Sequence, residues 1–170
     1  MDNRYGWLGG MLLQLIAVVP VQAEAGMPDG AIGYVLQTAG PAYVSGRDGT
    51  LLALERQWIM NGGRLETGPE GALGVSLTDG TLISLGAESS LRLEDFRFDP
   101  AHRAMALSVR LERGLFSLLV GDMARLAPEA VRLRMPEGTL QVRDGPQLLV
   151  RVPDPPMPGG LAGGRLSPGP

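Results

Sequence analysis

The sequence predicts an all-β fold, in which short antiparallel or solenoid-like strand repeats form a single β domain. The first observation is that apolar and polar residues alternate along several short segments, as they do along a half-buried strand. The second is the presence of 25 Gly and 14 Pro among 170 residues, which mark turns at roughly ten-residue spacing. A sandwich-like body, a barrel and a short solenoid all produce this pattern, and the sequence leaves the choice among them open.

The N-terminal residues 1–25 are predicted to be a cleavable signal peptide. Residues 8–19 form a largely apolar run that ends at Pro20 ahead of small residues, and cleavage is expected after Ala23 or Ala25. The run is shorter than the roughly 20 apolar residues of a transmembrane helix. We therefore expect export to the periplasm and no membrane span in the mature chain. The alternative is an uncleaved N-terminal anchor that tethers the protein to the membrane.

The β domain is predicted to span residues 26–152, and its first part contains short strands. Residues 31–36 and 42–45 have the composition of strands and are separated by turn residues. Residues 51–60 are expected to be extended, and Trp58 is expected to anchor this segment in the core. The chain then leads through a glycine-rich turn into its central stretch.

The central stretch, residues 67–100, carries the strongest strand signal. Asp79-Gly80 tolerates positive φ and predicts a tight turn inside it. The apolar pattern shifts by one residue between Leu93 and Phe96, so a β-bulge is predicted near Glu94-Asp95. The predicted strands are residues 73–78, 81–85 and 91–98.

A long alternating strand follows the predicted loop at residues 99–103. The positions expected to be buried along it are Met105, Leu107, Val109 and Leu111. We predict a turn at Arg113-Gly114 and then a buried strand over residues 115–120, which contains the core residue Phe116. A short helical turn and three more strands are predicted at residues 123–127, 130–135, 139–143 and 147–152. Residues 153–170 are rich in Pro and Gly, which predicts a disordered tail.

The composition excludes several classes of site. The chain has no Cys, which excludes disulfides, thiolate metal ligands and cysteine nucleophiles. All 15 basic residues are Arg, and the formal net charge is -3. Because nucleic-acid binding requires a basic surface that displaces counterions from phosphates, we expect no nucleic-acid partner. No cofactor is expected either.

No catalytic or metal-binding constellation is predicted. His102 is the only histidine, and no nucleophile-elbow pattern surrounds any serine, so we expect a solvated loop histidine and no enzyme activity. Glu94, Asp95 and Asp99 offer the oxygen ligands that calcium prefers. The arginines expected to pair with these carboxylates instead are Arg92, Arg97 and Arg103.

The candidate binding residues are three arginines and one tryptophan. Arg110, Arg132 and Arg134 lie on the polar sides of predicted strands. If those strands lie side by side, the arginines form a patch for an anionic glycan or for peptidoglycan carboxylates. An exposed Trp58 would add a stacking surface for a sugar ring. The alternative is a solvated sheet face with ordinary ion pairs.

Several segments together resemble the FecR domain, a periplasmic β domain first associated with iron-citrate signal transduction. The resemblance covers residues 31–152. The segments that carry it are Ala31-Ile32-Gly33, Gly40-Pro41-Ala42, Thr67-Gly68, Leu77-Thr78-Asp79-Gly80-Thr81, Leu85-Gly86-Ala87-Glu88-Ser89-Ser90-Leu91, Phe96-Arg97-Phe98-Asp99-Pro100, Arg113-Gly114-Leu115-Phe116 and Gly121-Asp122. The resemblance implies an all-β body that is solenoid-like or sandwich-like.

The same resemblance implies a function. We expect an exported, stand-alone member of the family without the sigma-regulator and signalling domains of the iron-signalling regulators. Such a protein is expected to be a non-enzymatic protein-interaction module in envelope signalling or scaffolding, with an envelope protein as its partner. The alternative is a glycan-binding or peptidoglycan-binding envelope protein.

Overall fold

The structure, a computed structural model, describes residues 26–47, 49–141 and 147–154. The signal peptide predicted for residues 1–25 and almost all of the tail predicted for 153–170 lie outside the described residues. The described chain folds into β1 (Ala31–Ala39), β2 (Ala42–Gly46), β3 (Gly49–Leu52), β4 (Trp58–Met60), β5 (Arg64–Thr67), β6 (Ala72–Leu77), β7 (Leu82–Leu85), β8 (Ser90–Asp99), β9 (Ala104–Leu119), α1 (Asp122–Leu126), β10 (Val131–Met135), β11 (Gly138–Gln141) and β12 (Gln147–Val152). The prediction of an all-β fold is confirmed.

The strands form one curled sheet with two halves that share β9. Half-sheet A has the strand order β4-β1-β6-β7-β9-β12, and half-sheet B has the order β3-β2-β5-β8-β9-β10-β11. Neighbouring strands are antiparallel except β9 and β10, which are parallel. Buried residues of both halves form one hydrophobic cluster, so the two halves enclose a single core.

Strand β9 connects the halves because it continues through the predicted turn. Its first ten residues, 104–113, pair with β8, whereas the residues from Gly114 onwards pair with β7 and β12. Gly114 has φ +106°, and a Cβ at this position would collide with Ser89. The prediction of a turn at Arg113-Gly114 is therefore wrong: the glycine lets one strand change direction while it remains hydrogen-bonded on both sides.

The segment after this corner is also less buried than predicted. Phe116 and Leu118 are fully buried, which confirms Phe116 as a core residue, but Leu115 and Leu119 are 45% and 41% exposed. The cause is strand alternation, which points every second side chain away from the core even in an uninterrupted apolar run.

The central stretch folds as predicted. Strands β6, β7 and β8 follow one another, and Gly80 has φ +82° in the turn between β6 and β7. The register of β8 against β9 shifts between Leu93 and Asp95. This shift is the predicted bulge, and it keeps both Leu93 and Phe96 in the core.

Two buried hydrogen-bonded turns hold the ends of the central strands. Asp79 accepts hydrogen bonds from the backbone and hydroxyl of Thr81 at 3.0 and 2.8 Å, and the Thr81 hydroxyl accepts one from the Gly121 amide at 3.0 Å. In the second turn, the Thr67 hydroxyl accepts a hydrogen bond from the Ser89 amide at 2.9 Å. Both turns satisfy polar groups that the core would otherwise leave unpaired.

Trp58 is the main departure in the first part of the domain. The prediction that it anchors the core is wrong, because Trp58 is 36% exposed while the next residue, Ile59, is fully buried. In the three-residue strand β4 only the central side chain faces inward.

The helical turn predicted at residues 123–127 is confirmed as α1. None of the helices in the described part of the chain is long and apolar enough to span a bilayer.

Candidate functional site

Charge distinguishes the outer faces of the two half-sheets. In half-sheet A, Arg151 is the one charged residue in the described strand segments, that is in β1, β4, β6, β7, β12 and residues 114–119 of β9. In half-sheet B, strands β5, β8 and β9 carry both acidic and basic residues, and β10 carries two arginines. The molecule therefore presents one charged sheet face and one sheet face whose single charge in the described strands is the exposed Arg151; the second is called the uncharged face below.

The charged face contains a row of four arginines on four consecutive strands. Arg64 of β5 is opposite Arg92 of β8, Arg92 is opposite Arg110 of β9, and Arg110 is opposite Arg134 of β10. Neighbouring strands are about 4.8 Å apart, so the row places cationic side chains at regular short intervals. Arg132 lies two residues before Arg134 on the same face, opposite Ser108.

The structure thus brings together three of the four predicted site residues. Arg110, Arg132 and Arg134 share one face because β9 and β10 are neighbours, as the predicted patch requires. Arg64 and Arg92 extend this face, although sequence reasoning did not include them. The signal in the sequence is their position on polar strand sides, but their register with Arg110 depends on which strands become neighbours.

Glu94 neutralises part of this row. It accepts a hydrogen bond of 2.6 Å from Arg110 Nε and one of 3.1 Å from the Ser108 hydroxyl, and it lies 3.3 Å from Arg134 Nη1. Burial raises the pKa of the Glu94 carboxyl, but the hydrogen bonds and the positive charges of Arg110 and Arg134 outweigh burial and hold the pKa below its ordinary value. The carboxylate is therefore ionised at neutral pH and fixes two of the arginines.

Arg64 is fixed in a similar way at the other end of the row. Its guanidinium donates to Glu112 at 2.6 Å and to the Ser90 hydroxyl at 3.0 and 3.1 Å, and it lies 3.4 Å from Glu66. Ser90 also donates to Glu112 at 2.9 Å. This network orients Arg64 along the surface of the sheet.

Arg92 and Arg132 have no ion-pair partner among the described residues. The expectation that Arg92 pairs with a neighbouring carboxylate is wrong, because Glu94 turns towards Arg110 and Arg134 instead. Arg103 has no such partner within the described ranges either. The expected pairing is found only for Arg97, whose guanidinium lies 2.9 Å from Asp95.

Trp58 lies apart from Arg110, Arg132 and Arg134, on the edge strand β4 of half-sheet A. Its ring packs edge-on against Tyr34, with centroids 6.3 Å apart and an interplanar angle of 84°. The tryptophan borders a cleft of ≈ 470 Å³ that reaches the β2–β3 hairpin at Ser45, Gly46 and Arg47. The candidate stacking residue is therefore exposed, as sugar stacking requires, but the arginine that lines its cleft is Arg47 and not a member of the predicted patch.

The outer face of half-sheet A has large apolar side chains along its two sides and small side chains in the middle. Across it, Tyr34 is opposite Ser76, Ser76 is opposite Leu82, and Leu82 is opposite Leu119. The exposed apolar side chains on this half-sheet are Tyr34, Leu36, Trp58, Met60, Leu115, Leu119 and Leu149. Leu149 is 75% exposed, on the edge strand β12, which pairs only with β9 among the described strands.

His102 sits in the surface turn between β8 and β9. Its Nδ1 is 2.7 Å from Asp99 Oδ2, and its side chain is 82% exposed. Asp99 also accepts a hydrogen bond from the His102 amide at 3.2 Å, so the pair stabilises a turn. Within the described ranges, no group of three or more His, Cys, Asp and Glu side chains is arranged to hold a metal ion.

Fold and surface together define a class: an all-β domain whose curled sheet presents one charged and one uncharged outer face. The family model described as FecR protein matches residues 63–155, which is 93 of the 170 residues. The chain belongs to the FecR family, and the predicted resemblance is confirmed. A FecR domain suggests a signalling or regulatory role at the cell envelope. No curated protein and no solved structure matches the chain.

The segments that carried the resemblance serve the fold. Asp79 and Thr81 form one buried turn, Thr67 and Ser89 form the other, and Gly114 is the corner of β9. These residues lie in the core or at the junction of the half-sheets, whereas the arginine row and the uncharged face lie outside them. Family membership therefore identifies the scaffold, and the two outer faces are the candidate surfaces for contacts with other molecules.

Proposed function

We propose that this protein is a non-enzymatic interaction module that is exported to the periplasm and binds another envelope protein in signal relay or scaffolding. The observation that carries the proposal is the uncharged outer face of half-sheet A. Membership in the FecR family supports a signalling or regulatory role. The predicted signal peptide supports the periplasmic location.

The uncharged face has the chemistry of a protein-binding surface. Exposed contiguous apolar side chains on a soluble domain cost free energy in water, and their burial against a partner recovers roughly 25 cal/mol per Å² of apolar surface. Leu119 and Leu149 lie on adjacent strands, and Tyr34 stands with Trp58 at the far side of the same face. The partner we propose is a protein with a flat apolar surface and few charges, since the described strands of half-sheet A offer no carboxylate to pair with a basic partner and one cation, Arg151, to pair with an acidic group.

The free edge of β12 is a second reason to place the partner on half-sheet A. Its backbone groups on the side away from β9 have no strand neighbour among the described residues, so an extended segment of the partner can add to the sheet there. Such a segment would place its side chains beside Leu149. Backbone hydrogen bonds then supply affinity and the apolar side chains supply specificity.

The experiment is a crosslinking pull-down from the envelope fraction of the native organism, with the full chain as bait. Leu149→Arg adds a charge at the exposed edge strand where the partner segment is proposed to pair, and is expected to abolish the specific crosslink. The matched control is Leu126→Arg, because Leu126 is 50% exposed but lies on α1, outside half-sheet A. Equal recovery of the partner by both variants would contradict the proposed surface.

A second candidate function is glycan or peptidoglycan binding, and the arginine row favours it. Guanidinium groups recognise carboxylates through paired hydrogen bonds, and Arg132 has no partner within the described part of the chain. Co-sedimentation of the full chain with purified sacculi tests this candidate. A sedimented fraction that Arg132→Ala and Arg134→Ala both leave unchanged would remove the role of that patch.

A further inference from the structure

Two surface depressions meet at the tip of the β2–β3 hairpin. The first is the cleft beside Trp58, with Leu51 and Met60 in its apolar wall. The second is a shallower depression of ≈ 390 Å³ on the charged face. Both are lined by Ser45, Gly46, Arg47 and Gly62. The two therefore form one continuous surface, apolar on one side and basic on the other.

The apolar side offers an oriented aromatic ring. Trp58 is held by its edge-on contact with Tyr34, and its indole N–H has no hydrogen-bond acceptor among the described residues. Leu51 and Met60 are 61% and 40% exposed beside it. A partly exposed indole suits a ligand that is flat and apolar on one face and polar at its edges, as a pyranose ring is.

The basic side offers guanidinium groups without internal partners. Arg47 and Arg92 have no ion pair in the described ranges, whereas Arg64 between them is held by Glu112 and Ser90. The Ser45 and Thr50 hydroxyls share one hydrogen bond of 2.8 Å, which leaves one hydroxyl hydrogen free to donate to a ligand. This half of the surface therefore offers hydrogen-bond donors of the kind that a carboxylate accepts.

Two of the described residues that line the surface are carboxylates. Glu66 lies 3.4 Å from Arg64 on the basic side, and Asp29 lies in the wall of the Trp58 cleft. Glu66 is already compensated by Arg64. Asp29 can accept hydrogen bonds from sugar hydroxyls in the cleft. Its negative charge would repel a densely charged anion such as a nucleic acid.

We propose that this surface binds an acidic saccharide, with a sugar ring on Trp58 and its carboxylate between Arg47 and Arg92. The proposal rests on the second candidate function, glycan binding, and it assigns the ligand to a different place from the Arg132–Arg134 patch. The shared chemistry of the ligand is a pyranose that carries a carboxylate. Its source is either a uronic acid polymer or the lactyl group of a cell-wall glycan.

The test is calorimetric titration of the full chain with three probes: a hexamer of galacturonic acid, a muramic acid glycan strand, and a neutral cello-hexaose. We expect one carboxylated probe to bind and the neutral probe not to bind, and the probe that binds identifies the source. Arg92→Ala is expected to raise the dissociation constant about tenfold, because a hydrogen-bonded charge pair is lost. Arg103→Ala is the matched control, because Arg103 is an exposed arginine without an ion pair in the described ranges and lies in the turn between β8 and β9, away from this surface; it is expected to leave the constant unchanged.

A second measurement does not depend on the arginine variants. Binding is expected to change the fluorescence of Trp58, and Trp58→Phe isolates this signal from that of Trp7. Binding that depends on Arg132 and not on Arg92 would overturn this site while glycan binding survives. Binding of neither carboxylated probe, or equal binding of a single-stranded oligonucleotide, would overturn the assignment of an acidic saccharide.

Discussion

Arg92 and Arg110 lie directly opposite each other on β8 and β9, although only Arg110 has a carboxylate partner within the described residues. Like charges on directly opposed strand positions destabilise a sheet. The Glu94 carboxylate offsets this repulsion at Arg110 and Arg134, and an anionic ligand would offset it at Arg92. The arginine row therefore affects the stability of the domain, and its uncompensated member, Arg92, is the one that the proposed ligand would pair with.

Glu94→Gln is expected to destabilise the domain by about 1 kcal/mol at pH 7, because Arg110 and Arg134 lose their counter-charge. The lowered pKa of Glu94 means that its contribution is fully present above the ordinary carboxyl pKa and is lost as pH falls through the lower folded-state value. The measurement is urea unfolding of both proteins at pH 7 and again below about pH 3.

At the lower pH, protonation of Glu94 reduces the charge difference between the two side chains, so the gap between the urea midpoints of the two proteins is expected to narrow. Asp95→Asn is the control, since its ion pair with Arg97 is exposed on both sides and exposed pairs contribute little. A difference between the Glu94 proteins that is the same at both pH values would contradict the ion-pair account.

Thr81→Ala is expected to destabilise the domain by about 1–3 kcal/mol, because it leaves the Gly121 amide and one oxygen of buried Asp79 without their partner. Thr78→Ala makes the same change at an exposed position of the same turn and is expected to stay within about 0.5 kcal/mol. Thermal or urea unfolding compares them. Equal effects would show that the buried turn is not a stabilising element.

Gly114→Ala is expected to prevent folding or to cost more than about 3 kcal/mol, because the new Cβ collides with Ser89 and the backbone keeps a positive φ. Gly49→Ala is a matched control: its φ is +113°, yet nothing lies within 4 Å of its Cβ position. Its cost is expected to be only the backbone strain, about 1–2 kcal/mol. Circular dichroism melting curves of both variants measure the difference, and similar curves would contradict the proposed corner.

Phe116→Ala is expected to destabilise the domain more than Trp58→Ala, although tryptophan is the larger side chain. Phe116 is fully buried, and its truncation should cost about 3–5 kcal/mol through lost burial and a cavity. Trp58 is 36% exposed on an edge strand, so its truncation should cost less. Denaturant midpoints provide the measurement, and a larger loss at Trp58 would restore its predicted role as a core anchor.

The local part of the fold was predictable from sequence. The phase shift between Leu93 and Phe96 identified the bulge in β8, and alternation identified the buried side of β9. Both signals act within one strand, where side-chain direction follows directly from position. The path of β9 through Gly114 was not predictable, because an Arg-Gly pair is compatible with a turn and with a strand that changes sheet.

The candidate binding residues were predictable only in part, because their grouping depends on which strands become neighbours. Arg110, Arg132 and Arg134 lie on the polar sides of their strands, as alternation predicts, but their shared face depended on the condition that β9 and β10 lie side by side, which the structure fulfils. Arg64 and Arg92 join the row through pairings between strands distant in sequence, which no periodicity reports. The exposure of Trp58 likewise depends on the shortness of β4 and its position at the sheet edge.

The most direct test of the proposed function compares substitutions on the two faces in one crosslinking experiment. Full-length Leu149→Arg and Arg92→Ala are both expected to fold, since Leu149 and Arg92 are exposed. Our account predicts that near-stoichiometric recovery of one envelope protein is lost with Leu149→Arg and retained with Arg92→Ala. Retention with Leu149→Arg, or recovery of sacculus fragments without a protein, would contradict an interaction module that acts through half-sheet A.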